Sequence, residues 1–283
     1  MSTEISTPQK LGRVHVILPA FNEEGSLPNL LTRFEELNER RPDLRLVVRV
    51  IDDGSSDKTV EVAKGDFGKL DVRIRSHEVN MGLGQAMLTG VQRGVSGAEP
   101  DDVIVAMDAD DTHDVNLIPI MYDHIANGKD IAIASRFVEG GCDKTAPRFR
   151  RFLSRGASVV FKIVFPLAKI GDFTSGYRMY RASMMQTALA HWGDRFIEED
   201  GFACMVEMLL KLRHWDPQIV EVPMKLRYDR KLGDSKLKLG RTLRQYLKLA
   251  MRNRLTPPPR LTRLSKSTSA TTSDAKAVTN PAS

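Results

Sequence analysis

The sequence is poor in cysteine: 283 residues include only Cys142 and Cys204. It has no C-x-x-C pair and no cluster of histidine and cysteine, so neither a disulfide framework nor a zinc site is indicated. Such sparse cysteine usage fits a reducing compartment.

Long apolar runs are also missing. No stretch reaches the ~18 uninterrupted apolar residues that a membrane-spanning helix needs, because the best candidate, residues 157–168, contains Lys162 and Pro166. The first ten residues are polar and lack an apolar signal segment. We therefore expect a cytoplasmic protein that is at most peripheral on the cytoplasmic face of a membrane.

Charge is unevenly distributed along the chain. Residues 211–283 hold 17 Lys and Arg against 5 Asp and Glu, whereas the rest of the chain is slightly acidic. A basic C-terminal part suggests an anionic partner, which could be substrate phosphates, a membrane surface or nucleic acid. A solvated basic tail is the alternative.

Short apolar, β-branched runs alternate with helical patterns. Strands are predicted at residues 14–18, 46–51, 72–74, 103–107, 131–134 and 219–223. This alternation predicts an α/β fold with a mostly parallel central sheet flanked by helices, in a single domain. The uninterrupted apolar strands are typical of a sheet covered on both faces.

Helices are predicted between these strands. Leu27, Leu30, Leu31, Phe34 and Leu37 form an amphipathic stripe, and further helices are expected at residues 83–95, 147–166 and 199–212. The predicted organisation is a flexible N-terminus (1–11), a main α/β domain (12–237), a basic amphipathic helix (238–256) and a disordered tail (257–283). That helix, with Leu239, Leu243, Leu247, Ala250 and Met251 on one face, could lie on a membrane or pack on the domain.

Acidic loops follow three of the predicted strands. Asn22, Glu23 and Glu24 follow the first, residues 52–57 the second, and Asp108, Asp110 and Asp111 another. Each could be a turn or a helix cap, but in a parallel sheet all three would meet at one edge, where ligands bind. Asp108 and Asp110, one residue apart, suit Mg²⁺ or Mn²⁺ bound together with substrate phosphates.

Two common nucleotide-binding patterns are absent. The first strand is followed by residues 19–23 (PAFNE), not by a glycine-rich loop, and the glycines of residues 80–84 come later, before a helix. A P-loop is likewise missing. A nucleotide would have to be held by another scheme.

The motifs together resemble the family-2 glycosyltransferases of the GT-A fold, and most closely the polyprenol (dolichol) phosphate mannose synthases of the soluble type. They cover roughly residues 12–245, in family order. They are LPAFNE (18–23), IDDGSSD (51–57), NMGLG (80–84), MDAD (107–110), SR (135–136), Arg150 with SRGA (154–157), DFTSGYR (172–178) and RKLGDSK (230–236).

This resemblance implies a role for each matching residue. Metal binding falls to Asp108 and Asp110, and acceptor-phosphate binding to Arg136, Arg150 and Ser154, with Asp110, Arg136 and Arg150 as the catalytic set. Donor binding is implied for Pro19, Phe21, Glu23, Ile51, Asp53, Asp108, Ala109, Arg230 and Lys236. The reaction implied is inverting transfer of a sugar, mannose from GDP-mannose being favoured, to a polyprenyl or dolichyl phosphate.

A lipid phosphate is already anionic, so this acceptor needs no general base, and arginines should orient it instead. The sequence departs from the family pattern at Phe21, where tyrosine is usual, and at Thr112, whose role as a metal ligand is in doubt. His113 is expected to be polar surface rather than a ligand. Glu207 is expected to be a structural carboxylate bonded to an arginine.

Two alternatives stay open. The same fold could use UDP-glucose or another donor, or a different lipid or protein acceptor. A nucleic-acid-binding module would use the basic C-terminus, but Tyr246 is the only aromatic residue after Tyr228, so stacking residues are scarce. We therefore expect no nucleic-acid partner. A membrane surface or a membrane-protein partner is expected to assist lipid capture.

Overall fold

The computed structural model describes residues 9–164, 170–230 and 239–255, apart from some side chains inside two helices. Its strands are β1 Val14–Ala20, β2 Val47–Asp52, β3 Asp71–Ser76, β4 Val103–Ala106, β5 Ile131–Ser135, β6 Arg178–Arg181 and β7 Ile219–Pro223. Its helices are α1 Leu27–Arg40, α2 Thr59–Ala63, α3 Leu83–Ser96, α4 Leu117–Ala126, α5 Arg148–Val164, α6 Ala182–Trp192, α7 Ala203–Leu212 and α8 Leu239–Leu255.

The strands form one sheet in the order β3-β2-β1-β4-β6-β5-β7. All neighbours are parallel except β6, which runs antiparallel to both β4 and β5. The predicted α/β class and mostly parallel sheet are confirmed. The antiparallel strand β6 was not predicted.

Strand β6 changes which residues reach the functional edge of the sheet. Arg178, its first residue, pairs with Ala106 near the end of β4. Residues that precede β6 therefore lie at the same edge as residues that follow β1, β2 and β4, because an antiparallel strand enters where its neighbours leave.

Both faces of the sheet are covered, as the apolar strands predicted. Side chains alternate between two cores: Val16 and Leu18 pack in the cluster with α1 and α4, while Ile17 packs in the one with α3, α6 and α7. All five residues of the predicted α1 stripe are buried. Burial of two apolar layers on a shared sheet is the main stabilising term of this fold.

Helix α8 packs against α5 and α7, and its buried side matches the predicted stripe only in part. Leu249 and Ala250 are buried, whereas Leu247 and Met251, which the stripe placed on the apolar face, are 52% and 61% exposed. The predicted face was drawn from hydrophobicity alone. In the structure Tyr246 of α8 contacts Phe161 of α5 edge-to-face, with 5.4 Å between ring centroids.

The predicted bounds of other elements agree with the structure to different degrees. The helix predicted at 199–212 begins only at Ala203, and the one at 147–166 is α5. Gln9 and Leu11, inside the predicted N-terminal segment, contact the domain: the Gln9 amide donates to the Ala126 carbonyl, and Leu11 is buried. The predicted tail, residues 257–283, lies outside the described residues. No helix in the described ranges is long and apolar enough to cross a membrane.

Candidate active site

A cleft opens at the carboxyl edge of the sheet, between the loop after β4 and helices α5 and α8. It brings together four of the predicted residues, Asp108, Asp110, Arg136 and Ser154. Charged or polar residues that the sequence did not single out as binding residues complete much of its wall: Asp143, Arg151, Thr174, Ser175, Tyr228, Thr242 and Tyr246. Three carboxylates, those of Asp108, Asp110 and Asp143, and two guanidinium groups therefore share one cavity.

The acidic loop is held in place by its own threonine. The Thr112 hydroxyl donates to Oδ1 of Asp110 at 2.7 Å, and both residues are buried. Thr112 is fixed in turn, since its carbonyl accepts from the Arg227 amide. The role that the sequence left doubtful for Thr112 is thus, in this structure, to orient the carboxylate of Asp110.

Asp111 and His113, which follow the acidic pair in the chain, contact other residues. Burial raises the pKa of Asp111, which pairs with Arg33 at 3.2 Å. The His113 ring stacks on Tyr177 with centroids 5.1 Å apart, and its Nδ1 lies 3.4 Å from the Asp108 amide. His113 lines the cleft and is buried, so the expectation that it is a surface residue was wrong.

A divalent cation fits the chemistry of Asp108 and Asp110, because carboxylate oxygens are the ligands that Mg²⁺ and Mn²⁺ prefer. No group of three or more His, Cys, Asp and Glu that could hold a metal occurs in the part of the chain that the structure describes. The pair alone would leave several coordination positions open. Phosphate oxygens and water are the natural ligands for those positions.

The residues predicted to hold the nucleoside, Pro19, Phe21, Glu23, Ile51 and Asp53, lie at the ends of β1 and β2 and in the loops that follow, and none of them lines the cleft. The two loops are interlocked: the Asn22 amide donates to Ser55, Asn22 Oδ1 accepts from the Ser56 amide, and the Lys58 amide donates to Glu24. Asn22 adopts a left-handed backbone conformation, φ 52°, which asparagine tolerates well.

Pro19 and Ile51 are partners in the β1–β2 register. Ile51 is 1% exposed, so very little of this residue is accessible from solvent. Phe21 and Glu23 are half-buried in the following loop. Ala109 is buried between the two acidic residues of its loop.

Both carboxylate oxygens of Asp53 contact other groups of the protein. Its Oδ1 accepts from the Met81 amide and lies 2.8 Å from Nδ1 of His77, while its Oδ2 accepts from the Gly82 amide. It thereby fixes the glycine-rich loop at the start of α3. Any contact of this region with a nucleoside would depend on the loop shape that Asp53 sets.

Arg136 is held by a buried carboxylate. Its Nε and Nη2 donate to the two oxygens of Asp172 at 2.8 and 2.7 Å, and Nη2 also donates to Thr174. Burial alone would raise the pKa of Asp172, but the Arg136 guanidinium and its hydrogen bonds hold that pKa below its usual range. Arg136 is thus a fixed cation at the wall of the cleft.

Helix α5 supplies the opposite wall. Ser154 lines the cleft, and so does Arg151, which was not among the predicted site residues, unlike its neighbour Arg150. Arg151 and Arg155 both face the buried Asp143, at 3.8 and 3.0 Å. The side chain of Arg150 lies outside the described residues, so its role stays a prediction. Arg151 could have been found from the sequence, because it lies three residues before Ser154 on a helix.

The basic segment after β7 is only partly described. Arg230 ends a short 3₁₀ turn, Tyr228–Arg230, and is half-exposed. Lys236 lies outside the described residues. Their predicted contact with the donor diphosphate therefore stays a prediction.

The expectation for Glu207 is confirmed. The carboxylate is fully buried and accepts from Arg252 at 2.6 Å, and it pairs with Lys211 at 2.9 Å. Its other oxygen accepts from the backbone amides of Glu198 and Glu199. A carboxylate with this many donors is a structural group and not a free base.

Comparison with known proteins identifies the family. Residues 15–189 match the family model described as glycosyl transferase family 2. The chain belongs to this family. The predicted class of enzyme, a glycosyltransferase, is thereby confirmed.

Relatives with curated names cover most of this chain. A dolichol-phosphate mannosyltransferase of Pyrococcus furiosus is 34% identical over 83% of the chain, and the match spans 62% of that protein's length. An undecaprenyl-phosphate mannosyltransferase of Micrococcus luteus is 32% identical over 81% of the chain and 88% of its own. The family-2 membership predicted from the motifs rests on these matches as well.

Solved structures share the fold of this family-2 chain. Glucosyl-3-phosphoglycerate synthase of Mycobacterium tuberculosis, crystallised with Mn²⁺, UDP-glucose and glycerol 3-phosphate, superposes with a TM-score of 0.62 at 19% identity. The match covers 87% of this chain and 81% of that one. The predicted GT-A fold is confirmed.

Proposed function

We propose that this family-2 enzyme transfers mannose from GDP-mannose to a polyprenyl or dolichyl phosphate, with inversion at the anomeric carbon. The observation that carries the proposal is the mixed lining of the cleft, in which Asp108 and Asp110 face the same space as Arg136 and Arg151. An acidic pair suits a metal-bound diphosphate, and the arginines suit a second phosphate. The names of the relatives, a dolichol-phosphate and an undecaprenyl-phosphate mannosyltransferase, support mannose as the sugar and a polyprenyl phosphate as the acceptor.

Asp108 and Asp110 would hold Mg²⁺ or Mn²⁺ against the donor diphosphate. When bound, the ion would stabilise the negative charge that develops on the departing nucleoside diphosphate. Arg230 and Lys236, on the segment after β7, would add positive charge to the same group. The loops after β1 and β2, with Pro19, Phe21, Glu23, Ile51 and Asp53, would hold the nucleoside.

Arg136 would bind and orient the acceptor phosphate, together with Arg150 and Ser154. Its Nε and Nη2 donate hydrogen bonds to Asp172 and Thr174. Nη1 is therefore the guanidinium nitrogen that makes no hydrogen bond inside the described residues. The acceptor oxygen is already anionic, so it can attack the anomeric carbon without losing a proton to the enzyme. Since Glu207 is fully engaged in structural bonds, its geometry is consistent with a reaction that uses no carboxylate base.

Arg151 extends this acceptor site beyond the predicted residues. Its side chain is about a third exposed and lines the cleft, and its nearest carboxylate, Asp143, is 3.8 Å away. Asp143 is already paired with Arg155 at 3.0 Å. Arg151 is therefore the cation of this wall that an incoming phosphate can most readily recruit.

A lipid acceptor also requires contact with a bilayer, and we propose that α5 and α8 supply it at an anionic membrane surface on the cytoplasmic face. On α5, five apolar side chains are exposed between 43% and 74%: Phe149, Phe152, Val159, Val160 and Ile163. On α8, Leu247 and Met251 add to them. Exposed Arg148, Arg155, Lys162, Arg244 and Lys248 lie on the same two helices and complement anionic lipids.

The test is a transfer assay with radiolabelled GDP-mannose, GDP-glucose, UDP-glucose and UDP-N-acetylglucosamine, each offered with undecaprenyl phosphate and Mn²⁺. Label extracted into organic solvent from GDP-mannose alone is the expected result. Lipid-linked label from another donor would support the proposed lipid acceptor but show that the proposed donor, GDP-mannose, is wrong. No lipid-linked product from any donor, while a water-soluble acceptor is glycosylated, would refute the lipid acceptor.

A further inference from the structure

A second charged cavity lies on the α3 face of the sheet, along strands β2 and β3. Four arginines line it, Arg49, Arg73, Arg75 and Arg93, together with Ile51 and Ile74. It shares no lining residue with the cleft described above. We refer to it as the arginine cavity.

Carboxylates do not balance the charge of this cavity. Arg73 is bonded to Asp71, with Nη2 at 2.7 Å from the carboxylate. Within the described ranges, Arg49, Arg75 and Arg93 form no ion pair with a carboxylate. Four guanidinium groups therefore share one acidic partner, which is half-exposed.

Arg49 is the most informative member because it is only 7% exposed. Its Nη2 lies 3.3 Å from Nδ1 of His15, whose Nε2 is 2.9 Å from Asp102. These contacts tether the guanidinium, so it cannot swing out into water. Its Nε has no hydrogen-bond partner in the part of the chain that the structure describes.

A buried guanidinium that forms no ion pair is costly, since burial removes hydration that only an anion or a set of acceptors can replace. Burial lowers the pKa of Arg49, and the positive charges of Arg73 and Arg93 lower it further, while Asp71 opposes them in part. Arginine nevertheless stays protonated in proteins. The fold therefore maintains a concentrated positive charge at this place.

We propose that the arginine cavity binds an oxyanion of the phosphate class. Guanidinium groups present planar pairs of N–H donors that match phosphate oxygens. Arg93 lies on α3 while Arg73 and Arg75 lie on β3, so one bound anion would connect the helix to the edge strand. The ligand could be a free phosphate ion or the phosphate group of a small metabolite.

Calorimetric titration of the full chain tests the proposal, with inorganic phosphate in one arm and glycerol 3-phosphate in the other. EDTA is present to remove divalent metal ions. The ionic strength is held constant so that all samples have the same electrostatic screening. The test variant is Arg75→Gln/Arg93→Gln, whose two positions are exposed and tolerate substitution. The matched control is Lys64→Gln/Lys69→Gln, which removes the same charge from exposed positions outside the cavity.

At least one arm should show a phosphate site that weakens tenfold or more in the arginine variant and is unchanged in the lysine control. Binding at the acceptor cleft is common to all three proteins and cancels in the comparison. Equal titrations for wild type and the arginine variant would overturn the proposal. So would an equal loss in both variants, because it would reflect net charge alone. Circular dichroism without phosphate checks that both variants fold.

Discussion

The hydroxyl of Thr112 lies 2.7 Å from Oδ1 of Asp110 and donates a hydrogen bond to it. Under the proposed function, this bond orients a metal ligand. Replacing Thr112 by valine removes the hydroxyl and keeps the shape. Loss of such an orienting partner typically weakens metal affinity about 10- to 100-fold.

We therefore expect Thr112→Val to need at least about tenfold more Mn²⁺ for half-maximal transfer, with little change in the maximal rate. The measurement is the transfer rate as a function of Mn²⁺ concentration. Thr112→Ser, which restores the hydroxyl, should behave like wild type. Asp110→Asn should abolish metal-dependent transfer while the protein stays folded; undiminished turnover would mean that the metal is held elsewhere.

The Arg136–Asp172 pair gives a prediction about stability. Asp172→Asn leaves the Arg136 guanidinium, 13% exposed, without its counter-charge. Removing one partner of a buried pair costs about 3–5 kcal/mol, so the free energy of unfolding at pH 7 should fall by that amount. Urea unfolding measures it. An unchanged midpoint with an unchanged slope would show that the pair adds nothing to stability.

The same pair should respond to acid. The pKa of Asp172 is lower in the folded protein than its unfolded value of about 3.9. Its contribution is therefore fully present above about pH 4 and is lost as the pH falls through the folded pKa. Asp172→Asn should lose less stability than wild type in that acid range.

Glu207 should be essential for docking α8. Glu207→Gln removes the charge that Arg252 and Lys211 share, so we expect the free energy of unfolding to fall by about 3 kcal/mol. Hydrogen exchange of the α8 amides should accelerate in this variant. Glu61→Gln, at an exposed position of α2, is the control and should match wild type. Unchanged protection of α8 would mean that its apolar contacts suffice.

His214 should give the free energy of unfolding a second dependence on pH. Burial, together with the nearby Arg213 and His191, lowers its pKa to about 4. The unfolded chain then binds a proton more readily than the folded protein, so stability should fall as the pH drops from about 6.5 to about 4, by about 2–3 kcal/mol from this group. Unfolding at a series of pH values should show this slope in wild type. His214→Gln should flatten it, whereas His124→Gln should not.

The exposed apolar face of α5 can be tested separately from catalysis. Phe152 and Ile163 are 73% and 74% exposed and do not line the cleft. Phe152→Ser/Ile163→Ser should weaken sedimentation with phosphatidylglycerol vesicles at least about tenfold, because each side chain contributes roughly 1.5–3 kcal/mol when buried in an apolar phase. Activity on a short, water-soluble acceptor should not change. Val79→Ser/Ile120→Ser removes exposed apolar side chains elsewhere and should bind vesicles normally.

The parallel half of the fold could be predicted from the sequence because its signals are local. The α1 stripe and the apolar runs of β1, β2 and β4 each specify an element without reference to the rest of the chain. Strand β6 carries no such signal, since Arg178 and Arg181 bound only two apolar residues. Arg178 is buried because it donates to the carbonyls of Phe173 and Met205, contacts that only the tertiary structure provides.

The site residues also divide into those that the sequence could locate and those that it could not. Asp108 and Asp110 directly follow β4, so the general rule about strand ends locates them. The Arg136–Asp172 pair joins residues 36 positions apart, and it depends on β6 entering the sheet from the functional edge. Motif resemblance pointed to Arg136, but no local pattern indicated that Asp172 would hold it.

Helix α8 contributes Thr242 and Tyr246 to the wall of the cleft, although it follows every strand in the chain. During synthesis the sheet can therefore be completed through β7 while α8 is still within the ribosome. At that stage Glu207 lacks Arg252, and the acceptor side of the cleft is open. The order of translation therefore places the closure of this wall after the completion of the sheet.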